Sequence, residues 1–134
     1  MKKLKFFSAL FLFISCLPLF SQDYLIRIDF DEYKLFLVNN TGTVIAAYPV
    51  VIPKFISKHP FFYGTVISAE KNPNQIIIRF DALEHNPSIR IYGTDSEILI
   101  NREITSKYIV MHNRDILDLI ETIEGKQVRV LFEK

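Results

Sequence analysis

From Tyr24 to Phe132 the chain is a series of short apolar runs, each closed by a turn signal. Runs this short and this rich in Ile, Val, Phe and Tyr form strands more readily than helices. Tyr24–Phe30 alternates in part, with Ile26, Ile28 and Phe30 on one face and Arg27 and Asp29 on the other; Leu25 breaks the pattern. Asp31-Glu32 makes a polar break, and Tyr33–Val38 reads as a second strand. Asn39-Asn-Thr-Gly42 is a turn, since Asn and Gly tolerate positive φ, so Thr43–Val50 returns as the other arm of a hairpin. Pro49 in that arm predicts an edge or a strand end. Phe61–Ser68, Ile76–Phe80, Ser88–Tyr92 and Gln127–Phe132 read as further strands, with Gly64 a bulge or a close backbone approach. Pro53–Pro60, Lys71–Asn74 and Leu83–Pro87 read as loops and turns. Only Asn113–Glu124 has helical spacing, through Ile116, Leu119, Ile120 and Ile123, with Asn113 as N-cap and Gly125 as C-terminal stop. The expected fold is mainly β: a small β-sandwich or barrel with one short helix near the C-terminus.

Residues 1–21 stand apart as a secretory signal peptide, which leaves residues 22–134 as one domain. Lys2, Lys3 and Lys5 precede an apolar run from Phe6 to Phe20, shorter than the roughly 20 residues a helix needs to cross a bilayer. No later segment is apolar enough to span a membrane. The expected location is therefore the periplasm or cell envelope. Cys16, the only cysteine, lies inside the leader. It reads either as a small apolar residue or as a lipid attachment site, and the apolar run continuing through Phe20 favours the first. The folded part then has no thiol, hence no disulfide, cysteine–metal site or cysteine nucleophile. Three lysines leave with the leader and no acid does, so 16 basic against 15 acidic residues become 13 against 15, a formal −2. No basic cluster suggests nucleic acid as a partner.

The stretch that carries a functional signal is Ile89–Asp115. Ile89-Arg-Ile-Tyr-Gly-Thr94 is similar to the Ile-His-Gly-Thr segment of the L,D-transpeptidase family, bacterial cell-wall enzymes that cross-link peptidoglycan or attach proteins to it. Met111-His-Asn-Arg-Asp-Ile resembles the segment after that family's Ser-His-Gly-Cys-Ile-Arg. Tyr33-Lys-Leu-Phe-Leu, the Asn-Thr-Gly turn and Tyr48-Pro-Val resemble the family's first hairpin. Tyr63-Gly-Thr-Val-Ile resembles its Pro-Thr-Gly-Thr-Phe, and Gly125-Lys-Gln-Val-Arg-Val its final Gly-Thr-Pro-Val-x-Ile. These matches run in order over nearly all of residues 22–134, and Tyr92 lies 16 residues before Tyr108, a gap common between that family's His-Gly and its cysteine.

The resemblance implies acyl transfer by a cysteine thiolate with a histidine base and backbone oxyanion donors. This sequence departs from it at each reactive position. Tyr108 stands for the cysteine, Tyr92 for the histidine, Lys107 for the glycine before the nucleophile and Val110 for the arginine after it. Thr105 and Ser106 replace the preceding serine and histidine, and Asn101 a common glycine. Ser106 has no identifiable base beside it, and a phenol has an ordinary pKa near 10. A catalytic set is therefore not expected. His59 and His85 fall in loops, and the histidines lack metal-pair spacing, so no metal or cofactor is expected. Asp29 with Asp31, and Asp115 with Asp118, read as solvated strand-end and helix-start acids.

Tyr92, Gly93, Thr94, Tyr108, Met111 and His112 remain as candidate binding residues. The two tyrosines either plug a vestigial cleft or line one that still binds a peptide or sugar. The leading expectation is an exported, catalytically silent L,D-transpeptidase-like binding or regulatory module, its partners peptidoglycan stem peptides or an envelope protein. The rivals are a divergent active L,D-transpeptidase and an unrelated envelope β-protein that binds a protein partner.

Overall fold

A computed structural model describes residues 22–54, 61–81, 88–95, 103–104 and 108–134, with backbone only at 61, 62, 103 and 104. The leader with Cys16, His59, His85, Asn101, Thr105, Ser106 and Lys107 lie outside the described residues, as do most of the loops expected at 53–60 and 83–87. The described elements are β1 (Tyr24–Asp29), β2 (Lys34–Asn39), β3 (Val44–Pro49), β4 (Ile52–Pro53), β5 (Phe61–Lys71), β6 (Asn74–Phe80), β7 (Ser88–Thr94), β8 (Glu103–Ile104), β9 (Ile109–His112), α1 (Asn113–Ile123) and β10 (Val128–Glu133).

Eight strands form one sheet in the order β3-β2-β1-β10-β5-β6-β7-β9. The pairs β1–β10 and β7–β9 are parallel and the others antiparallel; β4 and β8 make a separate parallel pair. The β2–β3 hairpin is set by its turn. Asn39 Oδ1 accepts from the backbone amides of Thr41 at 3.0 Å and Thr43 at 2.9 Å, and Gly42 takes φ +85°. Pro49 ends β3 at the sheet edge, as expected. Beyond it the chain turns onto the opposite edge: Val51 N donates to Val110 O at 2.7 Å and Val110 N to Val51 O at 3.1 Å. That bridge joins the run after β3 to β9 and nearly closes the sheet on itself.

The inner face is one apolar cluster. Ile26, Ile28, Leu35, Leu37, Ile76, Ile78, Ile89, Ile91, Val130 and Phe132 meet Ile116, Leu119, Ile120 and Ile123 of α1 there. Period-two alternation supplies the strand residues and 3.6-residue periodicity the helix stripe. A hydrogen bond from the Tyr48 hydroxyl to the Asp118 carboxylate ties α1 to β3. Burial, first, and then Asp118 and Asp115 raise the Tyr48 pKa far above that of a free phenol.

Several local expectations change. The cap of α1 is His112, with no side-chain cap bond, because the Asn113 amide instead donates to Asp95 Oδ1 at 2.7 Å. Tyr33 belongs to the β1–β2 turn at φ +54°, not to a strand. Gly64 is a close approach and no bulge: a Cβ there would lie 2.7 Å from Ile78 Cγ2 and 2.9 Å from the Arg79 carbonyl oxygen. The bulge sits two residues on, between Val66 and Ser68. Asp29 is not a solvated acid. It is 2 % exposed, and its Oδ1 accepts from the amides of Asp31 and Glu32. It is buried because the outer face of β1, β2 and β10 carries its own apolar patch, Leu25, Val38 and Leu131, which also explains why Leu25 broke the alternation.

Candidate functional site

β7 and β9 run side by side, with Ile91, Tyr92, Gly93 and Thr94 opposite Ile109, Val110, Met111 and His112. Alternation sends every second residue of both strands inward. Ile89 and Ile91 of β7, and Ile109 and Met111 of β9, lie in the core, Met111 with no exposed surface. Gly93 points the same way. A Cβ there would collide with the Asn113 carboxamide oxygen and lie 2.8 Å from Ile116 Cγ2, so α1 begins directly on the strand. Gly93 and Met111 thus hold the helix and the core and offer a ligand little or nothing. The outer row is Arg90, Tyr92 and Thr94 beside Val110 and His112, with Tyr108 leading into β9.

Tyr92 and Tyr108 are in direct contact on this outer side. Their ring centroids are 4.8 Å apart and the planes meet at 85°, the edge-to-face arrangement that the aromatic quadrupole favours. Tyr92 is half-buried and Tyr108 is 42 % exposed, so one ring backs the other and the second faces solvent. Val110 is fixed by the closure bridge to Val51.

The Tyr92 hydroxyl accepts from Arg90 Nη1 at 3.3 Å, and the same guanidinium donates to Gln75 Oε1 at 3.3 Å. Gln75, buried on β6 directly opposite Tyr92, donates through Nε2 to Glu70 Oε2 at 3.1 Å. Glu70 also takes a hydrogen bond from Ser68. A polar row therefore crosses β5, β6 and β7 and ends on the tyrosine pair. Neither Gln75 nor Arg90 stood out in the sequence. The signal was the alternation of Ser88-Ile-Arg-Ile-Tyr, which puts Arg90 on the face opposite Ile89 and Ile91.

Among the described residues no group of three His, Cys, Asp or Glu is placed to hold a metal ion, and no helix is long and apolar enough to cross a membrane. Asp118 at the helix start is engaged by Tyr48.

No family model and no curated protein matches the sequence. The fold does match solved structures. An L,D-transpeptidase from Mycobacterium smegmatis aligns over 84% of this chain and 59% of its own, with a TM-score of 0.59 and 10% identity. The Bdellovibrio bacteriovorus protein Bd1075 aligns over 82% of this chain and 47% of its own, at 0.56 and 19%. The catalytic domain of an E. faecium L,D-transpeptidase aligns over 84% of this chain and 98% of its own, at 0.55 and 12%. The chain spans less than two thirds of the first two and nearly all of the catalytic domain. A likeness of this extent leaves no place for an unrelated β-protein. The chain has an L,D-transpeptidase-like fold.

Proposed function

We propose that this protein is an exported, catalytically silent L,D-transpeptidase-like module of the cell envelope, and that it binds through the outer face at Tyr92 and Tyr108. The observation that carries this reading is the edge-to-face packing of those two rings. They occupy the positions where the resemblance calls for base and nucleophile. Acyl transfer by this route needs a thiolate and an imidazole in hydrogen-bond reach. Two phenols in ring-to-ring contact supply neither, and no cysteine follows residue 16. What the pair does supply is a half-exposed aromatic step with hydroxyls, the kind of surface that contacts peptides and sugars.

The test is incubation of the purified protein with tetrapeptide-stem muropeptides and mass spectrometry of the products, alongside co-sedimentation with peptidoglycan sacculi. The expected outcome is no cross-linked or hydrolysed product, with retention on sacculi weakened by Tyr108→Ala. A product that disappears on Tyr108→Phe overturns the silence of the site.

A further inference from the structure

We infer that the outer face of β6 and β7 is a docking surface for an acidic peptide in extended conformation, whose carboxylates, at every second residue, are taken by Arg79 and Arg90. The inference rests on the reading that the neighbouring tyrosine pair binds and does not react.

Arg79 and Arg90 are both exposed and both on the outer face. Arg79 stands opposite Ser88, and Arg90 is two residues further along β7, opposite Ile77. That makes the two arginines diagonal neighbours across an antiparallel pair, about 7–8 Å apart. Elsewhere in the sheet the outward arginines are matched to acids. Arg27 reaches Glu133 at 2.7 Å and Arg129 reaches Asp81 at 2.8 Å. Arg79 and Arg90 have no carboxylate partner among the described residues. Arg90 is bound only to the neutral oxygens of Gln75 and Tyr92, both through Nη1. Those two bonds aim the guanidinium and leave its remaining donors for a ligand. The acid in the same polar row, Glu70, is a strand further away, with the Gln75 side chain between.

Two unpaired guanidinium groups at this separation repel one another, and an anionic ligand relieves the repulsion. The spacing specifies the ligand further. Side chains on one face of an extended peptide recur every two residues, about 6.8 Å apart. Carboxylates at positions i and i+2 therefore match the diagonal, and each is a planar acceptor that suits the arginine fork. The surroundings favour a peptide over a lipid surface. Ile77 lies between the arginines and Tyr92 and Tyr108 continue the row, the mix of arginine, tyrosine and aliphatic contact that carries binding energy in protein interfaces. An anionic membrane selects dense positive charge, whereas residues 22–134 carry 13 basic against 15 acidic residues.

Fluorescence anisotropy of a labelled alternating Glu-Thr peptide with the purified protein tests the inference. A Gln-Thr peptide, a peptide with Glu at every third residue, and phosphatidylglycerol vesicles serve as comparisons. The Glu-Thr peptide is expected to bind best, more weakly as salt rises, and Arg90→Gln to weaken it about tenfold, the scale of one charge-assisted hydrogen bond. Arg79→Gln weakens it similarly and the double variant abolishes it. Arg90→Lys, which keeps the charge and loses the fork, falls between. Circular dichroism confirms that each variant is folded, and Arg90→Lys carries the test should a glutamine variant unfold. Absence of binding, equal binding of the Gln-Thr peptide, indifference to Glu spacing, or arginine-dependent binding of the vesicles instead would each overturn the inference. None of these outcomes bears on the muropeptide assay, whose readout is product.

Discussion

Gly93 is the residue on which the tyrosine site and the helix both depend. It follows Tyr92 on β7, and the start of α1 rests on it so closely that a methyl group would meet the Asn113 carboxamide, with Ile116 Cγ2 at 2.8 Å and Asn113 Cα at 3.2 Å. The carboxamide is not free to swing away, because its nitrogen donates to Asp95 at 2.7 Å. Gly93→Ala is therefore expected to overpack this junction and cost about 1–3 kcal/mol, measured as a lower urea midpoint. A midpoint equal to that of the unchanged protein would show that the helix start gives way without loss. The sequence marked Gly93 correctly as part of a constrained Tyr-Gly-Thr motif, but it suggested a ligand where the constraint is helix packing. Met111 was placed at the site for the same reason, by its nearness in sequence to Tyr108. Alternation along β9 then carries it to the opposite face, where it is fully buried. Proximity along a strand is a poor guide to a site; parity is the better one, and it would also have picked out Arg90 beside Tyr92.

The helix was legible almost to the residue, since Ile116, Leu119, Ile120 and Ile123 form one stripe and Gly125, at φ +74°, ends it with Lys126 N donating to Ile123 O. Its attachment was not legible, because Tyr48 and Asp118 are 70 residues apart and only the fold brings them together. That bond gives the element a pH signature. The Tyr48 pKa is raised in the folded protein, by burial first and by Asp118 and Asp115 after it, so the folded state holds the phenolic proton more tightly than the unfolded chain does. The resulting stability is fully present below the unfolded value near pH 10 and is lost as pH climbs above it. Tyr63, also raised by burial and by Glu133 although Arg129 opposes the shift, adds to the same alkaline decline. Tyr48→Phe is expected to cost about 0.5–1.5 kcal/mol at neutral pH through the lost hydrogen bond. It is also expected to shallow the fall in urea midpoint above pH 10. Parallel declines in the two proteins would remove Tyr48 as the source.

Local patterns gave the strands and the β2–β3 hairpin, but closure of the whole molecule depends on pairings that no local pattern announces. Parallel partners such as β1 with β10 are joined through most of the chain. The seam is a single pair of backbone bonds, Val51 with Val110, between a run expected to end a hairpin and a residue noted only because it stands where the resemblance calls for an arginine. Val110 lies opposite Tyr92, so the same seam backs the tyrosine pair. Val51→Pro removes the donor of the 2.7 Å bond and leaves the Val110 carbonyl without its partner, at an expected cost of about 1–3 kcal/mol. Val51→Ala keeps the amide and loses only side-chain packing. Hydrogen exchange separates the two. The Val110 amide, which donates to Val51 O at 3.1 Å, should exchange slowly in the Val51→Ala protein and much faster in Val51→Pro, because the paired geometry fails with the proline. With the seam open, the outer face around Tyr92 loses its backing strand, and binding of the Glu-Thr peptide should weaken in Val51→Pro although no arginine has changed. A Val110 amide equally protected in both variants would mean that the sheet closes without this bridge.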